Sequence, residues 1–222
     1  MKRILNYNQK LFFNILSMKK ITIFLILIIT SCNKNDCLDN EKIRKIETDK
    51  IVETFIKQNR IENSKDSYAV CNSFKKLKIS TEDIYAKPTK PSVVKLPPRL
   101  PIILQNTEIY IQMLLNANLK GQKIFSVKDS INFVKQNNCF LKYTLPEKIS
   151  KKLKIIPVSE IDKANDYIIL SIPIFSEDNK KAYMEIDCYS KELPYGVSIY
   201  LEKKDTIWKI IDTKNIWVKC SG

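Results

Sequence analysis

Apolar residues along this chain change their spacing three times. Residues 21–29 are apolar except at Thr22. From residue 41 apolar positions recur at steps of three and four, the spacing of an amphipathic helix. Ile43, Ile46, Ile51, Val52, Phe55 and Ile56 predict a helix over 41–60. The stretch 61–83 carries no clear period. Five prolines between 88 and 101 (Pro88, Pro91, Pro97, Pro98, Pro101) predict an extended linker or strap, since proline fixes φ and disfavours helix before it. A second helix is expected over 106–118, from Ile109, Ile111, Met113, Leu114 and Leu115, with Gly121 as its terminator. A third is expected over 126–136, where Ser126 followed by Asp129 resembles a capping box and Ile131, Phe133 and Val134 are apolar. A short helical turn is expected near Ser159. Beyond residue 166 the period becomes strand-like, over 167–175, 182–189, 196–201, 206–211 and 215–218, with polar turns between. Helices first and strands after predict an α+β fold, with N-terminal helices packed on a C-terminal antiparallel β-meander.

The run at 21–29 is too short to span a bilayer, which takes about 20 apolar residues. Lys19 and Lys20 precede it, and Ile29-Thr30-Ser31-Cys32 follow it. A basic head, a short apolar run and small residues before a cut site mark a secretory signal. The last four residues resemble the bacterial lipoprotein motif, an aliphatic residue, a small one, Ser/Ala/Gly and then Cys. The resemblance implies a lipid on the Cys32 thiol, cleavage before Cys32 and acylation of the new amino terminus. Several acyl chains together anchor a protein stably, at about 0.8 kcal/mol per buried CH2. Met18 begins a complete signal by itself, so Met1 and Met18 both stand as candidate starts. The expected organisation is therefore a signal over 1–31, a membrane-proximal tether over 32–40, a helical region with a proline-rich strap over 41–101, and an α+β domain over 102–222.

The 222 residues carry a net charge of +14, which falls to about +9 once the five positive side chains of 1–31 are removed. The excess is mostly lysine beside many Asn and Ile residues, with no Arg-rich cluster and no aromatic-basic interleaving to stack bases, so nucleic acid is not an expected partner. The chain has no histidine. That excludes Ser-His-Asp and Cys-His nucleophile pairs, a His general base and His-containing zinc sites. Its three glycines, Gly121, Gly196 and Gly222, are too far apart for a P-loop or a dinucleotide fingerprint. No metal or cofactor is expected. Besides Cys32, the cysteines are Cys37, Cys71, Cys139, Cys188 and Cys220, with no C-x-x-C among them. Export places them in an oxidising compartment, where two disulfides and one thiol, or buried inert thiols, both fit.

From Ser126 to Ile210 the chain resembles a family of uncharacterised exported proteins from Bacteroidetes-type bacteria. The resemblance rests on Ser126-Val127-Lys128-Asp129, Leu170-Ser171-Ile172-Pro173-Ile174-Phe175-Ser176, Ile199-Tyr200-Leu201-Glu202-Lys203-Lys204 and Thr206-Ile207-Trp208-Lys209-Ile210. In that family the strand matching the one with Cys188 often leads into a second Cys and clustered glycines. Here Pro194 and Tyr195 stand there, so the resemblance implies no local disulfide. The closing hairpin with Trp208 is also similar to nuclear-transport-factor-like and cystatin-like exported domains, an analogy of fold alone.

Three sets of residues could carry chemistry. Asp129 and Gln136 are seven apart and share a helix face, either as a pocket pair or as a helix-end charge and a surface amide. Glu185 and Asp187 share one face of a strand. Same-face carboxylates could act as an acid–base pair or hold a cation, or could simply line the solvent face of a half-buried strand. Trp208, alternating with Ile210, is expected in the core. The resulting expectation is a lipid-anchored envelope lipoprotein, at the outer membrane, not an enzyme. It would be a binding or structural module for an unknown protein or glycan, held to membrane lipid through Cys32. The alternatives are an envelope hydrolase using carboxylates only and an immunity-type lipoprotein against a secreted toxin.

Overall fold

The computed structural model describes residues 37, 40–58, 68–82, 107–140, 142–190 and 194–218. The Ile29–Cys32 motif and the proline-rich strap lie outside them. Residues 44–222 form one unit, and the described part of 1–43 is Cys37 and the start of helix α1. The fold is α+β. Helix α1 (40–58) is followed by β1 (Ala69–Cys71), β2 (Leu77–Ser80), β3 (Thr107–Tyr110), α2 (Ile111–Leu115), β4 (Asn118–Leu119), β5 (Gln122–Lys123), α3 (Asp129–Lys135) and α4 (Glu147–Ser150). Then come β6 (Ile155–Ile156), a 3-10 helix (Val158–Lys163), β7 (Tyr167–Leu170), β8 (Ile174–Phe175), β9 (Lys181–Tyr189), β10 (Tyr195–Lys204) and β11 (Ile207–Val218).

The main sheet runs β11-β10-β9-β7-β1-β6, with β8 continuing on β9 beyond β7. Strands β9, β10 and β11 are the antiparallel meander. Strand β1, however, lies parallel to both β6 and β7, so a segment from the unassigned stretch 61–83 completes the sheet. Strands β2 and β3 form a separate parallel pair.

The sheet is covered on both faces. On the first face α1 lays Ile51, Val52, Phe55 and Ile56, and α4 lays Ile149, on Val70, Ile168, Leu170, Met184, Ile186, Ile199, Leu201 and Trp208. On the second face Leu77, Ile79, Ile109, Leu114, Phe125 and Phe133 pack on Ile174, Tyr183 and Tyr200. A smaller apolar cluster, Cys71, Ile161 and Ile169, lies further along the second face under the 3-10 helix. Strand β9 is buried on both faces through its length, which explains its near-continuous burial.

Three sequence expectations are corrected. The expected helix 106–118 divides into strand β3 and the single turn of α2, because β2 offers Thr107–Tyr110 an edge to pair with. Gly121, at φ +82°, turns β4 into β5 together with Lys120 at φ +51°, and terminates no helix. In α1 the buried stripe is Arg44, Glu47, Thr48, Ile51, Val52, Phe55 and Ile56, a regular 3-1-3-1 spacing, whereas Ile43 and Ile46 face out. Polar partners on other elements decide that phase.

Candidate functional site

The second face of β9 holds a buried ionic cluster. Alternation along the strand puts Tyr183, Glu185, Asp187 and Tyr189 on this face and Met184, Ile186 and Cys188 on the other. Glu185 and Asp187 thus share a face as the sequence predicts, but that face is not solvent. Glu185 is 4% exposed and Asp187 7%. Their carboxylates converge on one ammonium. Lys75 Nζ is 2.9 Å from Glu185 Oε2 and 2.7 Å from Asp187 Oδ2, and Lys75 is itself 5% exposed.

Every remaining oxygen of the pair is also engaged. Tyr183 donates its hydroxyl to Glu185 Oε1 at 2.8 Å, and Trp217 donates Nε1–H to Asp187 Oδ1 at 3.1 Å. Burial and the adjacent Glu185 carboxylate push the Tyr183 hydroxyl well above the usual phenol range, which keeps it a donor.

Two local devices place these groups. Lys75 sits on the chain between β1 and β2. Its N–H donates to Leu170 O and its carbonyl accepts from Ile172 N, so it bridges the gap between β7 and β8. Ser171 fills that gap from the other side. Its amide donates to Glu185 O at 2.8 Å and its hydroxyl accepts from Glu185 N at 2.7 Å. The second device is Gly196. It faces Asp187 on β9 and Trp217 on β11, in one row across three strands. A Cβ at Gly196 would lie 2.0 Å from Trp217 Nε1. The bare glycine is what lets the indole reach over β10 to Asp187.

Asp129 and Gln136 are both buried and both serve the junction of α3 with β8. Asp129 Oδ2 accepts from the Ser126 amide at 2.7 Å and the Ser126 hydroxyl at 2.9 Å, one half of the expected capping box. Its Oδ1 accepts from the Glu177 amide at 2.8 Å. Gln136, expected as a surface amide or a pocket residue, instead pairs like a strand with Phe175, donating Nε2 to its carbonyl and accepting its N–H, both at 2.9 Å. Asn137 does the same for Ile79, at 2.8 and 2.7 Å. Asp129 also lines a groove of about 340 Å3 with Ser126, Lys128, Ser176, Glu177, Asp178 and Lys181.

A second polar cluster fixes α1. Glu47 accepts Trp208 Nε1–H at 2.8 Å, and its oxygens lie 2.9 Å from both Lys203 Nζ and Lys50 Nζ. Burial alone would raise the Glu47 carboxyl, but hydrogen bonds from Lys203, Lys50 and Trp208 outweigh it and hold it below the usual range. Arg44, 4% exposed, donates Nη2–H to Asn132 Oδ1 at 3.1 Å, while its Nε and Nη1 have no partner among the described residues. It borders a cavity of about 20 Å3 with Lys76 and Gln136, room for roughly one water.

Cys37 and Cys139 are each disulfide-bonded, and Cys71 and Cys188 are buried free thiols. Burial raises both thiols above their ordinary value, away from the thiolate that a nucleophile needs.

Sequence reasoning found the two carboxylates of the central cluster and missed Lys75 and Trp217. In a lysine-rich chain one further lysine gives no signal. The usable sign was Gly196, one of three glycines, aligned in a strand pattern where glycine otherwise weakens the strand. Compared with known protein families, curated proteins and solved structures, the chain matches none.

Proposed function

We propose that this chain is a lipoprotein of the cell envelope, tethered to the outer membrane through acylated Cys32, whose folded unit is a non-catalytic binding module. The observation that carries the reading is the order of Lys19-Lys20, the apolar run 21–29 and Ile29-Thr30-Ser31-Cys32. Two further observations support it. No helix among the described residues is long and apolar enough to cross a membrane, which is compatible with anchoring through a lipid. Disulfide bonding of Cys37 and Cys139 fits an exported chain.

The groove bounded by Lys128, Glu177, Asp178 and Lys181 is the proposed contact surface for a glycan or a partner protein, since charged side chains of both signs line it. The hydrolase alternative has less support. An acid–base pair that flanks a glycosidic bond stands about 5 to 9.5 Å apart with substrate between. Glu185 and Asp187 have a lysine between them.

Mass spectrometry of the native amino-terminal peptide tests the anchor. Acyl chains on Cys32 are expected, and Cys32→Ser is expected to release the protein from the membrane fraction. An unmodified Cys32, or wild-type protein recovered among soluble cytosolic contents, refutes the reading.

A further inference from the structure

We propose that Lys75 and Asp187 are joined by an intramolecular isopeptide bond, formed by the protein itself with Glu185 as the proton carrier. The three groups are already in contact. One amine lies 2.7 Å from the carboxyl oxygen that must leave and 2.9 Å from a second carboxylate that can carry protons between them. The parts are arranged for condensation and not only for attraction. Lys75 approaches Asp187 on Oδ2, while Trp217 Nε1–H holds Oδ1, the oxygen that remains as the amide carbonyl. A fixed N–H donor on that oxygen stabilises the negative charge it acquires when the amine adds to Cγ. Tyr183, bonded to Glu185 Oε1, leaves Oε2 turned to the amine.

The step balances without any other reactant. The Lys75 ammonium gives up two protons, and its nitrogen lone pair forms the N–Cγ bond. The Cγ–Oδ2 bond breaks, and Oδ2 leaves with both protons as one water. Glu185 accepts each proton from Nζ and passes it to Oδ2, ending as the carboxylate it began as, which is general acid–base catalysis at two atoms it already faces. Burial supplies the direction. An ammonium and a carboxylate withdrawn from water are costly even when paired, and a neutral amide is not. Apolar packing on either side, from Tyr183 and Tyr200 in one cluster and Ile169 in the other, shields the new bond from water.

The inference is independent of the anchor and of the binding reading, because it concerns only side chains inside the fold. The test is a tryptic digest of the reduced and alkylated full chain. A linked Lys75 resists trypsin, so residues 66–76 should appear joined to residues 182–191 in one branched peptide, lighter by one water than the two separate peptides. Fragmentation should place the branch on Asp187. Two linear peptides at full mass from the wild-type chain overturn the proposal, and a branch on Glu185 overturns the assignment. Asp187→Ala and Lys75→Arg should abolish the branched peptide. Glu185→Gln, which keeps the shape and removes the proton carrier, should lose it too. Linkage at the wild-type level in Glu185→Gln refutes the role given to Glu185.

Discussion

Two side-chain contacts, one across three strands of the sheet and one between the sheet and α1, can each be measured at a single residue. Trp217 reaches Asp187 only because Gly196 has no Cβ, which would stand 2.0 Å from the indole nitrogen. Gly196→Ala should therefore displace the indole and leave Asp187 Oδ1 buried without its donor. The expected loss is about 1–3 kcal/mol, the cost of a buried acceptor left unsatisfied. It is read in urea unfolding, with a red shift of tryptophan emission. Trp217→Phe should cost a similar amount, and the double variant should cost less than the sum, because both remove the same contact. Additive losses would mean that Gly196 matters for another reason. Glu47 gives a pH test. Its folded carboxyl lies below the ordinary value, so its stabilisation is present above the unfolded value and is lost as pH falls through the folded one. Glu47→Gln should lower stability by about 1–3 kcal/mol at pH 7. The gap to wild type should close on acidification below the ordinary carboxylate range. A gap of equal size at low pH would show that shape, not charge, holds Trp208 and Lys203.

At the scale of elements, α3 is attached by amides and not by its short apolar stripe. Ile131 is 68% exposed and only Phe133 is fully buried among its apolar residues, so packing alone holds little. Gln136 and Asn137, adjacent in sequence, grip the backbones of β8 and β2 respectively. Asn137→Ala should leave the Ile79 amide and carbonyl without their side-chain partners, at about 1–3 kcal/mol, and its amide should exchange with solvent markedly faster. Gln136→Ala should do this to the Phe175 amide, while the Phe175 carbonyl keeps Asn132. Unchanged exchange at both amides would refute the grip. These connections explain which elements could be foreseen. The strands after residue 166 are buried against neighbours close in sequence, and their alternation was readable. Strands β1, β2 and β3 are short and pair in parallel with distant segments, so no local period announces them. The phase of α1 departs from its apolar pattern for a related reason. Arg44, Glu47 and Thr48 are inside because Asn132, Trp208 and Lys203 meet Arg44 and Glu47, and partners up to 161 residues away leave no mark on a helical pattern. The same holds for the central cluster, where two carboxylates on one strand face were visible and the lysine that makes them a site was not.

For the molecule as a whole, the state of the cysteines links the fold to the compartment proposed for it. Cys37 and Cys139 are oxidised, whereas Cys71 and Cys188 are kept apart, since their strands are separated by β7 and their side chains lie in clusters on opposite faces of the sheet. Sulfurs so placed cannot meet without unfolding, because a disulfide needs Cα atoms within about 7 Å. An oxidising compartment can thus act on this chain without scrambling it, provided that folding precedes oxidation of the inner thiols. The expected labelling follows. A thiol reagent applied to the native, unreduced protein should leave Cys71 and Cys188 unmodified, and the same reagent after denaturation without reductant should modify both. Cys37 and Cys139 should react only after reduction, and reduction should lower the stability of the remaining fold by about 2–4 kcal/mol, the usual contribution of a native disulfide. Rapid labelling of Cys188 in the native state would mean that β9 opens readily, and the buried cluster on its other face would then be reached by water. Modification of Cys37 or Cys139 without reductant, in protein taken from the envelope, would contradict both the disulfides and the compartment.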